Sequence, residues 1–298
     1  MNNQNFIDSI MGMLRHSAEE LGADPEKEEL SEDGIWRCRK CGGVRLKRIR
    51  ESPDGTESWI RLRCRCDEDD TLADLRKQED EHIRAENAAR LMAESGVPKK
   101  FRSASLFSID LKRAPKGMDE AIRCIRMLTD DIPSALDAGL GVYINGPCGV
   151  GKSYLAASAA NAYCLAGYNA LYIRMGELFP HISSTWKQGS AESEYSILQR
   201  IEKAGIVVFD DFGQDNLNAS NGNEGWKRDA VYRIIDTRYA AELPTVFTSN
   251  VPIAQLPSRG YPEPVLDRIL EMAPLNAVLS GEGYRKAFRS MISDERLK

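Results

Sequence analysis

The stretch "GPCGVGKS", residues 146–153, decides how the rest of the chain is read. It follows an apolar segment, "GVYIN", and opens into "KSYLAASAANAYCL", a run of helix formers. A glycine-rich turn between strand and helix lets backbone N–H groups converge on phosphate oxygens, and the helix N-terminus adds positive dipole character. Gly146, Pro147, Cys148, Gly149, Val150, Gly151, Lys152, Ser153 and Tyr154 are therefore the candidate nucleotide-binding residues. Lys152 is expected to reach the β- and γ-phosphates of ATP, and Ser153 to offer its hydroxyl to Mg²⁺. A plain glycine turn, the alternative, has no use for that lysine and hydroxyl.

Some sixty residues on, "GIVVFDDFG" reads as a buried strand that delivers two carboxylates at its C-terminal end, where open α/β sheets bind ligands. Asp210 is expected to hold Mg²⁺, directly or through water, and Asp211 to polarise an attacking water. A further strand, "TVFTSN", ends on Asn250, whose amide can hydrogen-bond that water or the γ-phosphate. The bland alternative for Asn250 is a turn residue before Pro252. The apolar segments "LGVYING", "ALYIR", "GIVVFDD", "PTVFTSN" and "AVLS" alternate with helical patterns over 118–129, 152–166, 192–203, 228–241 and 264–272. That alternation predicts an α/β fold with a parallel sheet covered on both faces.

The runs "IVVFDDFG", "VYRIIDTRYAAELPTVFTSN" and "PVLDRIL" closely resemble the DnaC/DnaI-type helicase loaders and their IstB-like relatives, which are AAA+ ATPases. The resemblance covers about residues 95 to 290 and includes "SGVPKKFRSASLFSID", which is similar to the stretch leading into the ATPase domain. It implies an AAA+ P-loop NTPase core with a five-stranded parallel sheet. It also makes Asp210, Asp211, Asn250 and Arg268 the catalytic set, with Arg268 an arginine finger acting on ATP held by the next subunit. A surface helix arginine is the alternative for Arg268. Two departures stand out. Asp211 occupies a position where many relatives have Glu, which bears on the rate of hydrolysis, and Pro264 stands where some have a further arginine.

Upstream, "CRKC" and "CRC" supply Cys38, Cys41, Cys64 and Cys66, two close pairs 22 residues apart. Two such pairs predict a tetrahedral Zn²⁺ site in a small ribbon-like module, where the metal supplies stability that a short segment cannot obtain from a core. Reduced, unliganded thiols are the alternative. Between Trp36 and Cys66 there are ten Lys/Arg against three Asp/Glu, a balance of +7 in a chain whose net charge is −5. That basic face, with Trp36 and Trp59, suits nucleic-acid phosphates and bases or a protein surface. The resemblance favours the replicative helicase there.

Four regions are expected: an N-terminal helix and acidic linker over 1–30, the zinc module over 31–70, a connecting helix over 71–98 and the ATPase domain over 99–298. No apolar run is long enough to span a bilayer, and the first residues do not read as a secretory signal, so a cytoplasmic protein is expected. Together the motifs and the resemblance imply a helicase loader in replication initiation that uses ATP as a switch. Its partners would be a replicative helicase hexamer and single-stranded DNA, with self-association through the ATP site. An IstB-like transposition ATPase acting on duplex DNA, or a nucleic-acid adaptor that binds ATP without turnover, are the alternatives.

Overall fold

The computed structural model describes residues 24, 26–51, 57–186, 192–218, 225–281 and 283–284. The helix expected near the N-terminus lies outside these residues. The chain divides into two units, residues 1–82 and 83–298.

In the first unit, β1 (Glu28–Leu30), β2 (Trp36–Cys38), β3 (Val44–Glu51) and β4 (Glu57–Arg61) form an antiparallel sheet in sequence order. α1 (Arg65–Glu94) follows, and the division between the units falls within it. β1 lies in the stretch read from sequence as an acidic linker. Its glutamate is the reason: Glu28 is fully buried, and its Oε1 accepts from Arg45 Nε and Arg61 Nη2, both at 2.9 Å. A buried carboxylate persists only when paired and hydrogen-bonded. These partners lie 17 and 33 residues away, so no local pattern reveals the strand.

The second unit is built on a five-stranded sheet, every pair parallel, in the order β6-β7-β8-β5-β9. Its elements run α2 (Met118–Thr129), α3 (Ile132–Asp137), β5 (Val142–Asn145), α4 (Lys152–Leu165), β6 (Ala170–Arg174), α5 (Met175–Thr185), α6 (Glu194–Lys203), β7 (Ile206–Phe212), α7 (Gly225–Ala240), β8 (Thr245–Ser249), α8 (Glu263–Met272) and β9 (Leu275–Val278). Alternate strand residues face opposite layers. Val142, Ile144, Val208 and Val246 pack with α2 and α4, whereas Tyr143, Val207, Phe209 and Phe247 pack with α5, α6, α7 and α8. Burial on both faces is what the continuous apolar run "IVVF" requires. Two helices, α3 and α5, arise where the sequence pattern did not mark them; α5 carries Pro180 in its interior, which weakens its helical signature.

Arg238 is the largest fully buried side chain, and it ties this sheet together. Its guanidinium donates to Ile201 O (3.0 Å), Ala204 O and Pro244 O (both 2.7 Å) and Thr245 Oγ1 (3.1 Å). The segments that lead into β7 and β8 are thereby joined. Those two strands carry Asp210, Asp211 and Thr248.

Candidate functional site

The loop after β5 folds back on itself over the C-terminal end of the sheet. Gly146 has φ +151°, and a Cβ there would meet Leu279 O at 2.3 Å, so only glycine lets β9's end pack so closely. Gly151, at φ +100°, starts α4 and presents Lys152 and Ser153. Lys152 is almost fully buried, and its Nζ donates to Gly146 O (2.8 Å), Pro147 O (2.8 Å) and Asn250 Oδ1 (2.7 Å). The loop lysine and the residue after β8 thus meet across 98 positions of sequence.

The two aspartates differ in setting. Asp210 is buried, 3% exposed, and its Oδ1 accepts from Thr248 Oγ1 at 2.6 Å. Asp211 lies at φ +59° where the β7–β8 register shifts, and its N–H donates to that same Thr248 Oγ1 at 3.0 Å. The left-handed backbone turns Asp211 into the cavity, and a short polar side chain is among the few non-glycine types that adopt it readily. Thr248 was missed in the sequence; the signal was a polar residue directly after the apolar pair Val246–Phe247 in a fully buried strand.

A cavity of about 500 Å³ opens on these groups and is lined by Cys148, Gly149, Gly151, Lys152, Ser153, Tyr154, Asp211 and Asn250. Its other end is partly apolar, with Phe101, Ile109, Met118 and Tyr284. The volume and lining suit a ligand with an anionic and an aromatic part. Tyr284 N–H donates to Gly149 O at 3.0 Å, so the chain after β9 closes on the loop. Sequence reading gave no site role to Phe101, Ile109 or Tyr284. They reach the cavity through long-range packing, which no local motif encodes.

The donor set fits Mg²⁺ and a nucleotide: Lys152, Ser153 and Asp211 line one cavity, and Asp210 precedes Asp211 on β7, bonded to Thr248. Arg268 is not in this cavity. On α8 it pairs with Asp236 (2.8 Å), donates to Tyr232 Oη (3.1 Å) and Pro264 O (3.1 Å), and stacks 4.8 Å from the Tyr232 ring centre.

In the first unit, the thiol sulfurs of Cys38, Cys41, Cys64 and Cys66 all lie within 4.8 Å of one another, a group able to hold a metal ion. Tetrahedral Zn²⁺ with bonds of about 2.3 Å needs sulfurs about 3.8 Å apart, so the cluster fits with small adjustment. A tight turn brings the first pair together: Gly42 N–H donates to Cys38 O, and Cys38 N–H to Gly43 O, both at 2.8 Å. Cys66 reaches the cluster from the first turn of α1, which explains why a single intervening residue suffices in "CRC". Contact with Cys64 draws the Cys41 thiol down to about 7, while Cys41 in turn pushes Cys66 up to about 12. Four adjacent thiols resist joint ionisation until a cation shares them.

No described helix is long and apolar enough to cross a membrane. The chain is 28% identical over 179 residues to a putative insertion sequence ATP-binding protein of Sinorhizobium fredii, covering 58% of this chain and 66% of that protein. It is 27% identical over 160 residues to the replicative helicase loader DnaI of Bacillus subtilis, covering 49% of this chain and 48% of the loader. The chain thus spans less than two thirds of either relative. Among solved structures, the DnaC helicase loader superposes with a TM-score of 0.51 at 24% identity, over 61% of this chain and 100% of that one. This is a likeness of fold, and the fold is the α/β AAA+ type with its five-stranded parallel sheet. The IstB-like ATP binding protein family matches residues 108–291, and the chain belongs to that family.

Proposed function

We propose that the chain is an ATP-switched loader that binds a replicative helicase through its cysteine-bearing unit and single-stranded DNA through its ATPase unit. The observation that carries the ATPase part is the meeting of Lys152, Asn250 and Asp211 on one cavity. Mg²⁺, when bound, would supply positive charge that neutralises the phosphates. Ser153 and Asp210 are the residues to hold it, Asp210 through the carboxylate that Thr248 orients. Lys152 exchanges its two loop carbonyls for phosphate oxygens. Asn250, released by Lys152, faces the terminal phosphate, and Asp211 accepts a hydrogen bond from the attacking water. Arg268 serves the neighbouring subunit's site once its contacts to Asp236 and Tyr232 open.

Two features support the partners. Trp186 is 53% exposed and packs edge-on against Trp226 at 4.9 Å, with Lys227 beside them in sequence, a stacking platform of the kind single strands use. The four clustered thiols, a set that would hold Zn²⁺, belong to a unit of their own that precedes the ATPase unit in sequence, and that unit is the one read as gripping the helicase. The second reading, an ATPase that serves a transposase on duplex DNA, draws on the insertion-sequence relative, which matches over a larger share of its own length than the loader does.

Size exclusion of the full chain with a hexameric replicative helicase, with and without ATP, tests the proposal. Co-elution that changes with ATP is the expected result. Absence of any complex, together with tighter binding to duplex than to single-stranded DNA, would move the assignment to transposition. Tight ATP binding with no turnover in the presence of DNA and helicase would leave only a binding adaptor.

A further inference from the structure

Tyr172 stands third of five residues in β6, on the edge of the parallel sheet. Its N–H donates to Ser95 O at 2.7 Å, and its ring lies in the apolar layer that includes Ala156, Ala160 and Val208. The residue is 5% exposed, and its hydroxyl has no hydrogen-bond partner. Tyr172 pairs across the sheet with Val208, two residues before Asp210 and on the same face of β7, which sets the phenol near the Asp210 carboxylate. Burial first, and then that carboxylate, raise the phenol's pKa, and the Ser153 hydroxyl is also near. Two other buried tyrosine hydroxyls, of Tyr163 and Tyr261, also lack partners, but neither has the Asp210 and Ser153 pair as neighbours.

An unpaired hydroxyl in a core is a cost that folding does not repay, and phenylalanine would fill the same space without it. A buried hydroxyl kept on the face of the sheet that carries Asp210 points to a use there. We propose that Tyr172 is a positioning residue of the metal–nucleotide site, whose hydroxyl donates to the Asp210 carboxylate in the bound state and fixes which oxygen faces the metal. Thr248 already donates to one oxygen, Oδ1, at 2.6 Å. A second donor leaves the carboxylate a single orientation. This rests on the assignment of Asp210 to the metal made above.

The test uses the full chain and Mn²⁺, whose paramagnetism allows titration by electron spin resonance in the presence of ADP. Tyr172→Phe, the control Tyr163→Phe and Asp210→Asn are compared with the unaltered protein. Loss of a residue that orients a metal ligand typically weakens the metal about 10- to 100-fold. Tyr172→Phe is expected to weaken Mn²⁺ in the ADP complex about tenfold, to leave ADP affinity in excess chelator unchanged, and to keep or raise the melting temperature without ligand. Tyr163→Phe is expected to leave Mn²⁺ affinity as it was. Unchanged Mn²⁺ affinity for Tyr172→Phe overturns the proposal, as does a lower melting temperature without ligand, which would mean the hydroxyl is already paired. If Asp210→Asn also leaves Mn²⁺ affinity intact, it is the assignment of the metal site that fails, and the role of Tyr172 falls with it.

Discussion

Lys152 Nζ lies 2.7 Å from Asn250 Oδ1, so the end of β8 and the glycine-rich loop share a hydrogen bond. A phosphate held in the loop would compete for the Lys152 ammonium, which would make Asn250 sensitive to what occupies the loop. Lys152→Ala is expected to weaken ATP by about 10- to 100-fold, since a charge-assisted hydrogen bond contributes about 1.5–3 kcal/mol. Asn250→Ala is expected to leave ADP affinity near normal and to reduce the preference for ATP over ADP. Calorimetric titration of both nucleotides reads each effect, and equal affinities for Lys152→Ala and the unaltered protein would remove the site.

Thr248 relays between the two aspartates, accepting from Asp211 N–H and donating to Asp210 Oδ1. Thr248→Val keeps the shape and removes both bonds. Leaving a buried donor or acceptor unsatisfied costs about 1–3 kcal/mol. A melting temperature several degrees lower is expected, with ATP turnover reduced further than ATP binding. Full turnover in this variant would show that Asp211 needs no such anchor.

Arg268 is held within its own chain by Asp236 and by the Tyr232 ring and hydroxyl. An arginine acting on a neighbouring subunit must leave these contacts, whose pairing at a partly exposed site is worth about 1 kcal/mol or less. That is small against the 10³- to 10⁵-fold that arginine fingers supply. Arg268→Ala is expected to leave ATP binding within about twofold and to cut turnover at least 100-fold under conditions of assembly. Turnover that is independent of protein concentration and of Arg268 would assign the residue to the α7–α8 contact alone.

Removal of the metal is expected to unfold the first unit and spare the second. The four thiols belong to one unit, and the apolar layers on the ATPase sheet belong to the other. Chelator-treated protein should lose about one zinc per chain by mass spectrometry and become protease-sensitive around residues 36–66, while ATP affinity stays within about twofold. Cys41→Ser should behave in the same way. Unchanged protease resistance after full chelation would mean the cysteines are structural thiols.

The strands β5 to β8 and the loop from Gly146 to Ser153 were legible because their signals are local: an apolar run of strand length, then a turn residue or carboxylate at a fixed spacing. The paired cysteines were legible for the same reason. β1 was not, because a strand built on a buried Glu28 depends on arginines that only folding brings near. The apolar end of the cavity, the Thr248 relay and the seating of Arg268 against Asp236 were hidden likewise.

By itself, then, the sequence determined the class of fold and the positions of the glycine-rich loop after β5, the aspartates at the end of β7 and the clustered thiols, each of which is written in neighbouring residues. Tertiary structure decided how these groups face one another. It turned Asp211 to a positive φ and so into the cavity, bonded Asp210 to Thr248, set Tyr172 on the face of the sheet that carries Asp210, and drew Asn250 onto Lys152. The physical reason is that a parallel sheet aligns the ends of strands far apart in sequence, and the hydrogen bonds at that edge exist only once the strands are in register.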